Sequence, residues 1–224
     1  MTVHPNTQGV WVIVVAAGAG TRFGAPKQFL DLRGMRVVDR SVAVAARHAE
    51  GVVVVMPEDP IDAPAPAAPD GVPLRTVPGG ASRAASVRHG LDAVPGDAAI
   101  ILVHDAARPL ASDEIFLAVI DAVRAGADAA VPAVPVTDTI RRRGGGVVDR
   151  ADLVGVQTPQ GFRAASLRTA HAAGAEATDD ATLVETAGGT VVLVDGDRRN
   201  LKLTTPLDLD VAAAILDRSS ERDT

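Results

Sequence analysis

The chain contains no cysteine and no tyrosine, with one tryptophan and four phenylalanines among 224 residues. Without cysteine there is no disulfide, no thiol nucleophile and no cysteine-ligated zinc, a composition that suits a reducing compartment. Aromatic residues make up 2% of the chain, too few for the stacking platforms that single-strand nucleic-acid binders use. A net charge of −6 disfavours nucleic acid and anionic membrane surfaces as general partners. No apolar run reaches the length of a membrane span, and the opening "MTVHPNTQG" lacks the apolar stretch of a signal peptide. The expectation is a soluble, cytoplasmic protein. Lysine is scarce as well: of 22 basic residues only Lys27 and Lys202 are lysines. An arginine-biased chain that keeps lysine at two places invites the question of what those places require.

What the chain does have is apolar residues, 47% of the total, enough to fill the core of one domain spanning residues 1–224. Val10 to Ala16, Val52 to Met56 and Ala99 to His104 are unbroken β-branched or aliphatic runs, the pattern of strands buried on both faces. A shorter strand fits Leu74 to Val77, and Asp128 to Val136 reads as a strand whose prolines put it near an edge or a strand end. Helical patterns fall at Asp39 to Ala49, Ser82 to Val94 and Asp113 to Ala125. A final helix follows Thr205, a candidate N-cap, with Pro206 at its first position. Alternating strands and helices give an α/β fold with a mostly parallel, twisted sheet flanked by helices. Two stretches interrupt that rhythm. Pro57 to Pro73 holds six prolines and reads as a surface connection. Residues 137–157, with "RRRGGGVVDR" inside, read as a projecting β-hairpin arm with Gly144 to Gly146 at its tip. An arm outside the core often clasps a second subunit.

The stretch "AAGAGTRFGAPKQF" follows the first strand, where a glycine-rich loop offers backbone N–H groups to a phosphate. Gly18, Gly20 and Gly24 are spaced one residue too widely for the dinucleotide fingerprint. The Gly-Lys-Ser/Thr of a Walker loop is missing. Arg22 and Lys27 inside the loop suit a triphosphate, whose charge two cations offset in phosphoryl transfer. Lysine fits a narrow loop as a compact charge where the wider guanidinium fork needs more room. A structural turn with two solvated bases is the plainer alternative.

Together with "PGGASRAASVRHGL", "VHDAARP", "PVTDTI", "VVDR", "QTPQGF", "ATDDATLVE" and "NLKLTTPLDL", this loop resembles the 2-C-methyl-D-erythritol 4-phosphate cytidylyltransferases of isoprenoid biosynthesis. The resemblance runs from about Val10 to Leu216. It implies a Rossmann-like nucleotidyltransferase fold and transfer of the cytidylyl group of CTP to 2-C-methyl-D-erythritol 4-phosphate, releasing pyrophosphate. It implies Mg²⁺ on the triphosphate, and a homodimer in which the arm of each subunit enters its neighbour's site. Arg22 and Lys27 match the phosphate-neutralising pair, and Arg150 and Lys202 match the residues that hold the attacking phosphate. Both lysines therefore fall on phosphates in the family. Ala16, Ala17, Gly18, Gly20, Gly80, Arg83, Ser86, Asp105 and Ala106 match the nucleotide-binding region. Asp105 could hold ribose, metal or both; it is the candidate protein ligand for Mg²⁺.

Thr139 and Arg108, with Asp105, Arg150 and Lys202, are candidates for the acceptor side, and Thr158 is a weaker one. Arg108 could equally be a structural buckle paired with an acid. Asp179 and Asp180 most simply start a helix, and His104, at a strand end, is expected to be structural. The chain departs from the family at Val15, where proline is common, and at Ala81, often an acid. Ribitol-phosphate cytidylyltransferases share the layout but open with Ala-Gly-Gly. A nicotinamide oxidoreductase is opposed by the glycine spacing, and a non-catalytic binding protein would not need cations for both leaving group and nucleophile.

Overall fold

The computed structural model describes residues 7–18, 23–24, 26–57, 64–69, 71–172, 174–177 and 179–220. The strands and helices follow in the order β1 (Val10–Val15), β2 (Asp31–Leu32), β3 (Met35–Arg36), α1 (Val37–Arg47), β4 (Gly51–Met56), β5 (Leu74–Pro78), α2 (Arg83–Ala93), β6 (Ile100–Asp105) and α3 (Asp113–Arg124). They continue with β7 (Ala129–Pro135), β8 (Ile140–Arg141), β9 (Val147–Val148), β10 (Val154–Val156), β11 (Gln160–Arg163), α4 (Ala164–Ala172), α5 (Asp180–Thr186), β12 (Val191–Asp195) and α6 (Pro206–Ser220). The main sheet has the order β10-β7-β11-β6-β1-β4-β5, with β12 on β7. β1, β4, β5 and β6 run parallel, whereas β10 and β11 enter antiparallel. A mostly parallel, helix-flanked sheet is what the alternating pattern predicts.

The unbroken apolar runs are explained by two cores. Side chains alternate across a strand, so Val10, Val12, Val14, Val52, Val54 and Leu102 pack on one face with α1 and α3. Trp11, Ile13, Val53, Val55, Ile101 and Val103 pack on the other with α2, α4 and α5. Covered on both sides, β1 and β4 leave no position for a polar alternate. A smaller cluster of Leu32, Val37, Leu203 and Ala212 seats α6. No helix among the described residues is long and apolar enough to cross a membrane.

Two details differ from the sequence expectation. β7 is not an edge strand: β12 pairs with it along 129–133, while β11 and β10 take its other side at 129–130 and 133–135. Pro135 is at the strand end as expected, but Pro132 is internal. It falls in the gap where the antiparallel partner changes, so its missing N–H costs no ladder bond, and its carbonyl accepts from Gln157 N at 2.7 Å. At α6, the carboxylate of Asp208 gathers both N–H and both hydroxyl groups of Thr204 and Thr205 within 2.7–3.0 Å. Thr205 therefore donates its hydroxyl rather than capping with it. β8 and β9 pair as a separate hairpin whose turn is closed by Arg142 N to Gly146 O at 3.0 Å, and Gly144 takes the left-handed φ of +77° there.

Candidate functional site

A cavity of about 500 Å³ opens at the carboxyl ends of β1 and β6, where parallel α/β sheets place ligands. Three segments wall it: the chain leaving β1, the start of α2, and the Asp105–Ala107 turn with Lys202 beside it.

The first wall begins where β1 ends. Ala16 N donates to Val55 O at 2.8 Å, which extends the ladder one residue and fixes where the loop departs. The buried side chain of Gln28 reaches back from a short 3-10 helix, Lys27–Phe29, and donates to Ala16 O at 2.8 Å and Gly18 O at 3.1 Å. One amide thus ties both described ends of the loop turn, and Lys27, next in sequence, lines the cavity with Ala17, Gly18 and Phe23. Gly20 and Arg22 lie outside the described residues.

The second wall is the α2 entry. Ser82 caps the helix, accepting from Ala85 N at 3.0 Å. Ser86 donates its hydroxyl to Ser82 O at 2.9 Å and accepts from Gly80 N at 3.0 Å, leaving one lone pair of Oγ uncommitted. The loop lies so close to β1's exit that a Cβ on Gly79 would come within 2.3 Å of Ala17 Cβ. Glycine there is a steric requirement.

The third wall carries the charge. Asp105, 8% exposed at the end of β6, is oriented through its own N–H, which donates to Thr158 Oγ1 at 3.0 Å. Its Oδ2 accepts from Lys202 Nζ at 2.6 Å, and its Oδ1 lies 3.7 Å from Arg83 Nε. Burial pushes its carboxyl up, but Lys202, Arg83 and Arg108 outweigh burial and take it from 3.8 down to about 2. Arg83, the first residue of α2, is held from behind by Asp180 at 2.7 Å. Leu203 N donates to Ala107 O at 2.8 Å and so fixes Lys202 against this wall. Ala106 lines the cavity with contact surface alone, because its N–H and carbonyl are taken by Val15 O and Ser41 Oγ.

The structure thus brings Lys27, Lys202, Ala16, Ala17, Gly18, Gly80, Arg83, Ser86, Asp105 and Ala106 onto one cavity. It does not bring Arg108, Thr139 or Arg150 there. Arg108 donates to Asn200 O at 2.7 Å and Val156 O at 3.3 Å, so it ties the loop at Asn200 to the end of β10. Thr139 and Arg150 are exposed on the arm, Arg150 donating to Thr137 O. Thr158 acts through the Asp105 backbone and also meets His104 Nδ1 at 3.2 Å. His104 is fully buried, and burial lowers its pKa to about 4, which leaves it uncharged near neutral pH and structural. Asp179 does cap α5, accepting from Thr182 N at 2.8 Å; Asp180, however, turns to Arg83.

Among the described residues no group of three or more His, Cys, Asp or Glu side chains gathers as a metal site. Of the described residues that line the cavity, Asp105 is the one carboxylate. A single ionised oxygen donor fits a hard cation whose other ligands are phosphate and water oxygens. Sequence reasoning missed Gln28 and Asp180 as site-building residues. Gln28 had a signal, its adjacency to Lys27; the Asp180–Arg83 pair, 97 residues apart, had none.

The family model for IspD, 2-C-methyl-D-erythritol 4-phosphate cytidylyltransferase, matches residues 10–218. The chain is 44% identical over 222 residues to the 2-C-methyl-D-erythritol 4-phosphate cytidylyltransferase of Nocardia farcinica, covering 95% of this chain and 96% of that relative. It is 46% identical to the bifunctional enzyme IspD/IspF of Clavibacter michiganensis, covering 93% of this chain but 55% of that relative. The chain thus spans about half the length of such a bifunctional protein. Among solved structures, 2-C-methyl-D-erythritol 4-phosphate cytidylyltransferase from Thermus thermophilus is similar with a TM-score of 0.76 and 38% identity, over 91% of this chain and 97% of that one.

Proposed function

We propose, from the premise that the chain belongs to the 2-C-methyl-D-erythritol 4-phosphate cytidylyltransferase family, a division of labour among the residues of its cavity. The reaction is cytidylyl transfer from CTP to 2-C-methyl-D-erythritol 4-phosphate, giving 4-diphosphocytidyl-2-C-methyl-D-erythritol and pyrophosphate for isoprenoid precursor synthesis. The observation that carries the assignment is the pairing, in one cavity, of a glycine loop bearing Lys27 with an Asp105–Lys202 pair on the facing turn.

Lys27, with Arg22, holds the triphosphate and offsets the charge that grows on the departing pyrophosphate. Ser86 is placed to read the base. With its hydrogen committed to Ser82 O, it offers an acceptor, which suits the amino group of cytosine and not the carbonyl that uracil carries at that position. Lys202 receives the acceptor's phosphate. A phosphate monoester is already a competent nucleophile at neutral pH, so the protein need only position it in line and neutralise it. On arrival that phosphate competes with Asp105 for Lys202, and Asp105 is freed toward the ribose or a metal. Mg²⁺ on the triphosphate would neutralise phosphate oxygens, and Asp105 is the side chain that would hold it to the protein.

The arm points to a homodimer with exchanged arms. Arg150 is outside its own chain's cavity wall, and Val147, Val154 and Val156 are 61%, 43% and 46% exposed nearby. Three exposed valines on one arm favour a covering partner. In that assembly the partner's arm would supply the second cation for the attacking phosphate. The test is product formation followed by phosphorus NMR with Mg²⁺, CTP and either 2-C-methyl-D-erythritol 4-phosphate or ribitol 5-phosphate. Product from the first acceptor supports the assignment, and product from ribitol phosphate alone overturns the acceptor. Mixing Arg150→Ala with Lys27→Ala chains tests the exchange: hybrid dimers regain one intact site if arms are exchanged, and regain none if each arm serves its own chain.

A further inference from the structure

From the cavity wall a chain of polar contacts runs inward through Lys202, Asp105 and Arg83 to Asp180 and His171, two residues that the reaction as described does not use. Lys202 meets Asp105 at 2.6 Å, Asp105 meets Arg83 at 3.7 Å, Arg83 meets Asp180 at 2.7 Å, and Asp180 meets His171 Nε2 at 3.0 Å. Its inner end is the buried one: the side chains of Lys202, Asp105 and Arg83 are 40%, 11% and 25% exposed, and those of Asp180 and His171 1% and 2%. A carboxylate this deep is held only if both oxygens are occupied. Oδ2 takes the guanidinium of Arg83 and Oδ1 takes the imidazole N–H. His171 Nδ1 is buried without a hydrogen-bond partner, which fits a ring whose hydrogen is on Nε2, aimed at Asp180. The contacts come from three helices: Arg83 opens α2, His171 lies in the last turn of α4 and Asp180 opens α5.

We propose that Asp180, backed by His171, is a positioning residue that holds the Arg83 guanidinium at the nucleotide end of the cavity and keeps it off Asp105. The distances decide the direction of the effect. Arg83 makes its hydrogen bond to Asp180 at 2.7 Å and stands off Asp105 by 3.7 Å. The movement needed to close on Asp105 is about 1 Å, well within a side-chain adjustment. Without the anion behind it, Arg83 pairs with the nearest remaining carboxylate, Asp105. That withdraws a cation from the nucleotide phosphates and occupies the oxygen of Asp105 that Lys202 leaves open. The inference rests on the reading that this cavity takes CTP.

The test is a double-mutant cycle in the full chain, with equilibrium CTP binding in Mg²⁺ and steady-state kinetics as readouts. Asp180→Asn is expected to weaken CTP binding about tenfold and raise KM for CTP in parallel, with KM for the acceptor less affected. In an Arg83→Ala background the same change is expected to cost less than twofold, because the side chain that it positions is gone. A brace that merely joins α4 to α5 would lower thermal stability equally in both backgrounds and leave CTP affinity intact, and that result overturns the proposal. Equal losses of CTP affinity in both backgrounds overturn it too. Should Asp180→Asn not fold, His171→Leu carries the same cycle, with a smaller expected loss of about threefold that must likewise vanish beside Arg83→Ala. Wild-type protein that fails to bind CTP sinks the functional reading itself; wild type that binds, with Asp180→Asn binding equally, sinks only this inference.

Discussion

Replacing Asp105 with Asn tests the electrostatics of the site through stability alone. The Asp105 carboxyl falls from 3.8 to about 2 because the pull of Lys202, Arg83 and Arg108 exceeds the cost of burial. A fall of that size corresponds to about 2 kcal/mol favouring the ionised, folded state. Lys202 is 40% exposed, so solvent screening trims the contribution to about 1–2 kcal/mol. The folded value lies below the unfolded one, so this stability is fully present above pH 3.8 and is lost as pH falls toward 2. About half should remain near pH 3. Asn is close in shape to the protonated acid and should forfeit the whole amount at pH 7. For a chain of this length that lowers the melting temperature by roughly 2–8 °C. Urea titrations from pH 7 to pH 3, followed by the fluorescence of the buried Trp11, measure it directly. Asp208, also near 2, contributes acid-labile stability of its own, which cancels in the difference between wild type and variant. A wild-type advantage that is absent at pH 7, or that stays constant down to pH 3, would refute the reasoning; the second result would mean that the loss is packing, not charge.

Two further outcomes follow from the cavity walls. Gln28→Leu leaves the carbonyls of Ala16 and Gly18 without their shared donor, so it should cost about 1–3 kcal/mol in melting experiments and lower kcat/KM for CTP at least tenfold. Gly79→Ala drives a methyl to within 2.3 Å of Ala17 Cβ and should raise KM for CTP more than tenfold, while kcat at saturating CTP falls less; an unchanged KM would show that the two loops can part freely.

Much of this architecture is legible in the residues. Val10 to Val15 and Val52 to Val55 have no polar alternate, which identifies strands covered on both faces, and three of the covering helices, α1, α2 and α3, sit within about two residues of their sequence patterns, whereas α4 goes unread in the sequence. The α2 entry is local chemistry, with Ser82 three residues before the N–H that it caps. β11 is another matter. Its sequence "QGFR" looks like a loop, because Gln160 is buried by a side-chain bond to Asp179 rather than by apolar contact. β12 had a signal, four aliphatic residues between Gly189 and Gly196, of the same kind as β4. In the site, the residues that face the ligand belong to short contiguous motifs, whereas those that hold them in place come from afar. Thr158 is 53 residues from Asp105, and Asp180 is 97 from Arg83. Such pairs exist only once the helices are packed. Arg108 shows the reverse: in sequence it reads as a ligand contact or an acid's partner, and in the fold it binds two backbone carbonyls.

The measurement that tests the account most directly is the rate of pyrophosphate release from purified chain with Mg²⁺, CTP and 2-C-methyl-D-erythritol 4-phosphate, each varied in turn, for wild type, Lys27→Ala and Lys202→Ala. A cavity with lysines assigned to opposite reactants predicts release only when both substrates are present. It also predicts loss of at least a hundredfold in kcat/KM for either variant, with CTP affinity weakened by Lys27→Ala and nearly unchanged in Lys202→Ala. Release without the acceptor, or equal loss of CTP affinity in both variants, would contradict the division of the cavity into a triphosphate end and an acceptor end.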